Sequence, residues 1–350
     1  MNSIDKLFLL DAYALIYRAY YAFIKNPRIN SKGFNTSAIL GFVNTLEEVL
    51  KKENPTHIGV AFDPSGPTFR HEAYEQYKAQ REETPEAIRL SVPIIKDIIR
   101  AYRIPILEVS GYEADDVIGT LATEAGRQGI TTYMMTPDKD YGQLVSDRVF
   151  MYRPKHTGGF EVMGTEEVKT KFNIQTTEQV IDMLGLMGDA SDNIPGCPGV
   201  GEKTAQKLIA EFGSIENLLE HTDQLKGRTE NRKWKPTAKM ITFSKFLATN
   251  QNRCSHSARH GFARPRRTER RGTPQDFRGV GIPHTHRSGT QKGKRQFVLP
   301  YSNLSGTRPL CRDSVCPAAN LHSRKTAPRF KAICLQILRA RGRAFLKIQT

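Results

Sequence analysis

The first 220 residues alternate short apolar runs with longer segments in which apolar side chains recur every three or four positions. Four of the short runs are predicted β-strands: residues 6–10, 58–62, 104–109 and 132–136. Three of the longer segments are predicted amphipathic α-helices: residues 37–52, 86–102 and 114–127. Alternating strands and helices predict an α/β fold, in which helices cover both faces of a parallel sheet.

Nine acidic residues lie mainly where these strands end or where the next elements begin. They are Asp11, Asp63, Glu113, Asp115, Asp116, Asp138, Asp140, Asp189 and Asp192. The carboxyl ends of the strands in an open α/β sheet form the ligand crevice, so we expect these side chains to converge there. Any one of them alone is better explained as a helix cap or a turn residue.

Taken together, the nine acids predict a metal site. So many carboxylates in one crevice repel one another unless cations lie between them. Oxygen ligands favour Mg²⁺ or Mn²⁺ over zinc. The spacing supports the grouping, because Asp138 and Asp140 lie on one side of an extended chain and Asp189 and Asp192 on one helical turn. The usual partner of such a site is a phosphodiester.

Residues 65–85 predict a nucleic-acid surface beside this crevice. A turn at 65–67 precedes a predicted helix over 69–81, directly after the strand that ends at Asp63. One broad face of that helix mixes cations with aromatic rings: Arg70, Tyr74, Tyr77, Lys78 and Arg81. Such a mixture suits phosphate pairing and base stacking on a single strand. From spacing alone a solvated surface helix is slightly the better explanation, but the position after Asp63 favours an element that overhangs the crevice.

Residues 183–220 predict a small helical unit. Gly199 and Gly201 make a glycine-rich turn that enters a predicted helix over 202–211, and Ser214 is placed to cap a second helix over 215–219. A dinucleotide fingerprint would need a third glycine and a preceding strand, and both are missing. Two short helices joined by a glycine turn predict a helix–hairpin–helix, which grips a duplex backbone without reading its sequence.

The net charge of +16 is distributed unevenly along the chain. Residues 251–350 hold 22 Lys and Arg against three Asp and Glu, whereas residues 1–250 hold 30 against 33. Four of the five cysteines also follow residue 250, without the paired spacing of a zinc site. The sequence shows no signal peptide and no apolar run long enough to cross a bilayer. We therefore expect a soluble, monomeric cytoplasmic protein without a membrane partner.

Six ordered blocks of residues 1–225 resemble a known family. The chain is similar to the 5′-nuclease domain at the N-terminus of bacterial DNA polymerase I, of the flap endonuclease superfamily with its PIN-like fold. The blocks are FLLD at 8–11, VAFD at 60–63, GYEADD at 111–116, TPDKD at 136–140, GDASDNIPG at 188–196 and GVGEKTA at 199–205.

The resemblance implies a role for each group of residues. Asp11, Asp63, Glu113, Asp115 and Asp116 match the acids of the tighter metal site, and Asp138, Asp140, Asp189 and Asp192 largely match those of the second. Some of these acids hold a metal through water in the family. Segment 65–100 resembles the helical arch that receives a free 5′ strand, with Lys78 and Arg81 as its catalytic cations.

The resemblance also implies DNA contacts for six residues. They are Arg18, Arg70, Tyr77, Gly199, Gly201 and Lys203. The last three belong to the helix–hairpin–helix that holds downstream duplex, often with a potassium ion at its turn. The implied substrates are 5′ flaps, nicked or gapped duplexes and RNA primers. The implied reaction is hydrolysis assisted by two or more Mg²⁺ or Mn²⁺ ions, which activate water and stabilise the leaving 3′ oxygen.

We divide the chain at the points where the pattern changes. Residues 1–180 are the expected catalytic domain, 181–250 the helix–hairpin–helix subdomain and 251–350 a basic tail. Within the subdomain, residues 227–239 lack helical periodicity and are expected to be atypical. The abrupt change after Asn250 leads to the hypothesis that 251–350 is out-of-frame translation, which resequencing of the gene would test. A true disordered, nucleic-acid-binding tail is the alternative. No DNA synthesis is predicted.

Two other functions remain open at this point. One is a flap or junction binder without catalysis, if the atypical segments disturb folding or DNA grip. The other is a ribonuclease with a small PIN-like fold, although such proteins lack the arch and the helix–hairpin–helix.

Overall fold

The computed structural model describes residues 5–155, 158–225 and 234–251. Its centre is a six-stranded sheet in the order β3-β2-β1-β4-β5-β6. The strands are β1 Lys6–Asp11, β2 His57–Phe62, β3 Ile106–Glu108, β4 Thr131–Met135, β5 Val149–Pro154 and β6 Phe160–Met163. All neighbours pair in parallel except β5 and β6, which are antiparallel. The predicted α/β fold with a largely parallel sheet is confirmed.

Ten α-helices surround or follow this sheet in the described ranges. They are α1 Ala12–Ala22, α2 Ser37–Lys52, α3 Phe69–Ala73, α4 Glu86–Ala101, α5 Ala114–Arg127, α6 Thr165–Phe172, α7 Gln179–Met187, α8 Glu202–Phe212, α9 Ile215–Glu220 and α10 Trp234–Ala248. The predicted bounds of α2, α4 and α5 agree with the structure to within one residue. None of these helices is both long and apolar enough to cross a bilayer.

Strand β1 shows how the sheet divides the core. Phe8 and Leu10 pack with α1, α2 and α4 on one face. Leu7 and Leu9 belong to the cluster on the other face, which includes α5, α7 and α10. All four side chains are at most 1% exposed. Because successive residues of a strand point to opposite faces, a central strand covered on both sides is apolar throughout.

The predicted helix over 69–81 is wrong beyond its first turn. Helix α3 ends at Ala73, and Tyr74 is extended with φ of −146°. Lys78 adopts a left-handed conformation with φ of 57°. These backbone changes turn Tyr77 and Lys78 inward, toward acids that local spacing does not reveal. Of the segment 65–100, α4 packs its apolar face on the core and residues 74–85 form the irregular part.

The expectation for residues 227–239 is also corrected in part. Helix α10 begins at Trp234 and includes the last six residues of that segment. Trp234 is 3% exposed and belongs to the same buried cluster as Ile241. Pro236 is tolerated because the first turn of a helix needs no intrahelical N–H donors. Residues 226–233 and the tail 252–350, with the hypothesis attached to it, lie outside the described residues.

Candidate functional site

The carboxyl edge of the sheet brings the first predicted acids together. The connection after β1 leads to β2, whereas the connection after its neighbour β4 leads to β5, toward the opposite edge of the sheet. This reversal creates a crevice at the carboxyl ends of β1 and β4. Asp11 ends β1 there and caps α1, accepting a hydrogen bond from the Ala14 amide at 3.1 Å. Asp63 follows β2 and accepts from the Ala114 amide at 2.7 Å, at the start of α5.

Asp11 is a buried acid whose second oxygen is also bonded. Its Oδ2 accepts from the Tyr141 hydroxyl at 3.0 Å and from Thr136 Oγ1 at 3.3 Å. Burial, with a further contribution from Asp63, raises the pKa of Asp11 to about 7. A carboxylate with so high a pKa lies where added positive charge would be strongly favoured.

The start of α5 supplies three more acids. Glu113 caps the helix, and its amide donates to Asp116 Oδ2 at 3.1 Å. Burial and the neighbouring Asp116 raise the pKa of Asp115 well above its ordinary value. Acids in a first helical turn complement the helix dipole, but dipole complementation alone does not explain so crowded a group.

Asp138 and Asp140 follow β4, as predicted, although Asp140 lies in a 3₁₀ turn that begins at Lys139 rather than in extended chain. The Asp140 amide donates to Asp138 Oδ1 at 3.0 Å. Asp140 Oδ1 is buried and has no hydrogen-bond partner in the described structure. Burial and Asp138 raise the pKa of Asp140 well above its ordinary value. A buried, unpaired carboxylate oxygen beside another acid fits a cation ligand.

Asp189 and Asp192 lie on a tight loop rather than on a helical turn. Asp189 and Ile194 form an antiparallel bridge, with N···O distances of 3.0 and 2.8 Å. Gly188 and Gly196 flank the loop with φ of 70° and 62°, and a Cβ on either would lie 2.4 Å from backbone of the other strand. Only glycine allows this crossing, so the two glycines fix the position of the acids.

Lys78 and Tyr77 connect the two groups of acids. Lys78 Nζ lies 2.6 Å from Glu113 Oε1 and 3.5 Å from Asp192 Oδ2. The Tyr77 hydroxyl lies 2.9 Å from both Glu113 Oε2 and Asp192 Oδ2. Arg81 pairs with Asp192 as well. Although burial opposes ionisation, these cations hold the pKa values of Glu113 and Asp192 below their ordinary values.

Two residues predicted to bind DNA are instead buried. Tyr77 is 3% exposed, so its ring is not open for base stacking. Arg70 is 1% exposed, and its guanidinium pairs with Glu113 and Asp116. The prediction of direct DNA contacts for Arg70 and Tyr77 is therefore corrected. The alternation of cations and aromatic residues suggested an exposed face. In the structure, these side chains point toward the acids of the crevice.

Asp116 differs from the other predicted metal ligands. It is 0% exposed, and Arg70 Nη1 and Nη2 contact its two oxygens at 2.8 and 2.9 Å. The amides of Glu113 and Gln251 donate to the same carboxylate. Both oxygens are thus occupied by protein donors. We correct the assignment of Asp116 from metal ligand to a residue that holds Arg70.

The remaining predicted DNA contacts are open to solvent. Gly199, Gly201 and Lys203 are exposed at the turn that enters α8, and Gly199 has φ of 72°. Arg18 is exposed on α1, where its Nη2 donates to the Lys155 carbonyl at 3.2 Å. Their roles stay predictions.

A tyrosine stripe on α1 was missed, although its four-residue spacing is visible in the sequence. The rings of Tyr13 and Tyr17 lie 6.5 Å apart, and those of Tyr17 and Tyr21 6.3 Å apart. The Tyr17 hydroxyl reaches Thr84 at 3.0 Å, and Tyr21 is 54% exposed. The stripe runs outward along the helix from Asp11, which caps its start.

The acids converge without forming a finished ligand set. Among residues 5–155, 158–225 and 234–251, no three His, Cys, Asp or Glu side chains are grouped closely enough to hold an ion as they stand. Lys78 lies between Glu113 and Asp192, and Arg70 holds Asp116. The donor set is all oxygen, and the orphaned Asp140 Oδ1 fits a hard divalent cation. Ion binding therefore calls for modest rearrangement of side chains.

The raised pKa values predict how the stability of the metal-free protein depends on pH. A carboxyl with a raised pKa binds more protons in the folded than in the unfolded state, so folding loses stability as the pH rises through that pKa. For Asp11 this window runs from the ordinary pKa of 3.8 to the raised pKa of about 7.

We therefore expect the free energy of unfolding, measured by urea titration in EDTA, to fall between pH 5.5 and pH 7.5. Mg²⁺ should remove most of this decline. A metal-free stability that stays constant or rises across the window would contradict the expectation.

Comparison with known proteins identifies relatives for most of the chain. Residues 6–173 match the family described as 5′-3′ exonuclease, N-terminal resolvase-like domain, and residues 175–264 match 5′-3′ exonuclease, C-terminal SAM fold. DNA polymerase I of Bacillus caldotenax is 43% identical over 245 residues, which are 69% of this chain and 28% of the relative. The chain thus spans little more than a quarter of that protein.

A shorter relative is covered more completely. The 5′-3′ exonuclease of Aquifex aeolicus is 40% identical over 218 residues, which are 62% of this chain and 73% of the relative. Among solved structures, T5 5′-exonuclease with bound zinc ions superposes with a TM-score of 0.59 at 22% identity, covering 71% of this chain and 91% of that one. The structural similarity supports the fold, and the sequence matches support membership of the family.

Proposed function

Because the chain belongs to the 5′-3′ exonuclease family of nucleases, we propose that it hydrolyses DNA phosphodiesters at 5′ ends and flaps, using divalent metal ions held in the acidic crevice. The observation that carries the proposal is the convergence of acids from β1, β2, α5, β4 and the 188–196 loop on one edge of the sheet. Buried carboxylates with raised pKa values and an orphaned oxygen are unfavourable unless a cation binds there.

We assign two groups of ligands to these ions, with Mg²⁺ or Mn²⁺ as the expected metals. Asp11, Asp63, Glu113 and Asp115 would hold one ion, directly or through water. The second group is Asp138, Asp140, Asp189 and Asp192. The bound ions would supply the positive charge that lowers the pKa of an attacking water and offsets charge on the leaving 3′ oxygen.

Residues of the protein would orient the scissile phosphate. Lys78 and Arg81 lie over the crevice and carry the positive charge that a phosphorane-like transition state attracts. Release of Lys78 from Glu113 would turn its ammonium from an internal ion pair to the substrate phosphate. Cleavage of the P–O3′ bond by water leaves a 5′-phosphate on one product and a 3′-hydroxyl on the other.

The remaining parts of the proposal concern how DNA is held. The exposed turn at Gly199, Gly201 and Lys203 would grip the downstream duplex backbone, with a potassium ion at the turn. Arg18 and the tyrosine stripe of α1 would contact the strand that enters the crevice. Flaps, nicked or gapped duplexes and RNA primers are the expected substrates, and a cytoplasmic monomer is the expected form of the protein.

The decisive experiment is cleavage of a 5′-labelled flap duplex by the full chain in Mg²⁺, beside EDTA and an Asp63→Asn variant. We expect cutting near the flap junction that requires the metal and is lost in the variant. An RNA flap on the same duplex tests the ribonuclease alternative. Tight binding of the flap without cutting would support a non-catalytic junction binder and overturn the proposed reaction.

A further inference from the structure

Arg70 is the largest of the fully buried side chains in the described part of the chain, and its guanidinium faces the acids on one side. Nη1 donates to Asp116 Oδ2 at 2.8 Å and to Glu113 Oε2 at 3.0 Å, and Nη2 donates to Asp116 Oδ1 at 2.9 Å. A bidentate pair between a guanidinium and a carboxylate is strong and fixes the orientation of both groups. Arg70 therefore sets the position of two acids at the start of α5.

The same guanidinium binds the end of α10 on its other side. Arg70 Nε donates to the Leu247 carbonyl at 2.9 Å, and Nη2 donates to the Thr249 carbonyl at 3.1 Å. The last carbonyls of a helix lack intrahelical donors and form its negative end. Arg70 thus caps α10, although 177 positions separate it from Leu247 along the chain.

The segment 247–251 has two further attachments near the crevice. The Gln251 amide donates to Asp116 Oδ1 at 2.8 Å. Gln143 clamps the segment independently of Arg70, since its Nε2 donates to the Ala248 carbonyl at 3.0 Å and its Oε1 accepts from the Asn250 amide at 2.9 Å. Two sets of hydrogen bonds therefore hold the segment. One set comes from Arg70 and Asp116, which belong to the acidic cluster, and the other comes from Gln143.

We propose that Arg70 is a positioning residue that couples docking of segment 247–251 to the binding of divalent ions by the acids at the start of α5. The proposal deepens the proposed function and rests on it. A docked segment supplies two acceptors to Arg70 and one donor to Asp116. If the segment leaves, the buried guanidinium and carboxylate lose partners and shift. Glu113 Oε2 then loses one of its two contacts and keeps only the one to the Tyr77 hydroxyl.

Coupling of this kind must be reciprocal. If docking prepares the acids for an ion, then the ion must stabilise docking by the same factor. The expected factor is about 5–150-fold, the usual range for coupled sites. The end of α10 would thus act as a structural part of the site, although it supplies no ligand.

Hydrogen exchange of the Asn250 amide tests the coupling in the unaltered protein. This amide is bonded to Gln143 and not to an acid, so its exchange reports docking without touching the metal ligands. We expect Mg²⁺ to slow its exchange at least five-fold in the wild type. The slowing should disappear in Arg70→Met. Exchange that does not respond to Mg²⁺ in the wild type overturns the proposal, whether or not the variant folds.

Mn²⁺ affinity, measured by calorimetry without DNA, tests the same link from the metal side. We expect Arg70→Met and Gln143→Leu each to weaken binding at least five-fold, and the double variant to be no weaker than Arg70→Met alone. Arg70→Lys, which keeps the charge but not the fork, should resemble Arg70→Met. Arg89→Met, an exposed change on α4, is the matched control.

The outcomes separate the inference from the proposed function. Full affinity in Gln143→Leu, strictly additive effects, or restoration by Arg70→Lys would overturn the coupling while leaving the nuclease proposal intact. Absence of Mn²⁺ binding in the wild type would overturn both. Thermal unfolding in EDTA identifies any variant that has lost its fold. If Arg70→Met does not fold, the coupling is tested by Arg70→Lys and by hydrogen exchange in the wild type.

Discussion

Replacing Lys78 by methionine is expected to lower the single-turnover rate of flap cleavage by about 10²–10³-fold, the usual loss when one preorganised donor to a transition state is removed. The same change should tighten the binding of divalent ions. In the metal-free structure, Lys78 pairs with Glu113 and Asp192, so it competes with an ion for both carboxylates. Without its charge we expect Mn²⁺ affinity to rise about ten-fold, which corresponds to about 1.4 kcal/mol.

The opposite signs of these two effects make the prediction specific. Methionine keeps most of the aliphatic stem, although it removes the ammonium that lies 4.9 Å from the centre of the Tyr77 ring. Rapid-quench kinetics at saturating protein gives the cleavage rate, and calorimetry without DNA gives the affinity. Lys51→Met, at a side chain 74% exposed on α2, removes the same charge far from any predicted role. A Lys78 variant that loses activity and metal affinity together would contradict the competition.

The acidic crevice is the part of the site that local sequence predicts well. Strands and helices follow from periodicity, and parallel order follows from their alternation. Once β1, β2 and β4 are parallel neighbours, acids at their carboxyl ends must meet at one edge. That rule places Asp11, Asp63 and Asp138 from position along the chain alone. The same reasoning does not say which carboxylate oxygens remain free for an ion.

The errors concern side chains whose partners are distant along the chain. Spacing suggested that Arg70 and Tyr77 share an exposed helical face. In the structure, Arg70 binds Leu247 and Tyr77 binds Asp192, and these contacts override the local preference for helix. A strong long-range ion pair can fix an irregular backbone, such as the positive φ of Lys78, that periodicity cannot reveal. Strands β5 and β6 were not predicted: β6 has only four residues at the edge of the sheet, whereas β5 has six residues and lies between β4 and β6.

Replacing Asp11 by asparagine should separate stability from activity. We expect the cleavage rate to fall by about 10³-fold, because the change removes one ionised ligand and the several kcal/mol of transition-state stabilisation that a correctly held ion supplies. Asparagine keeps an oxygen that can accept from Ala14, and its amide can donate toward Tyr141 and Thr136. The cap of α1 and the contacts behind it should therefore remain.

The metal-free variant should nevertheless be more stable than the wild type above pH 7. Because its pKa is about 7 instead of the ordinary 3.8, ionised Asp11 costs folding free energy that a neutral side chain avoids. At about 1.4 kcal/mol for each pKa unit, the gain at pH 8 has an upper limit of about 4 kcal/mol. The gain should shrink toward pH 5, where wild-type Asp11 is already protonated in the folded state.

Urea titrations in EDTA at pH 5, 6.5 and 8 measure this difference, and the flap assay in Mg²⁺ measures the loss of rate. Asp97→Asn, at a side chain 76% exposed on α4, is the matched control and should change neither quantity. An Asp11 variant less stable than the wild type at pH 8 would mean that the carboxylate is satisfied without an ion. The acids of the crevice would then stabilise the fold without a cation, and the argument for a bound cation between them would fail.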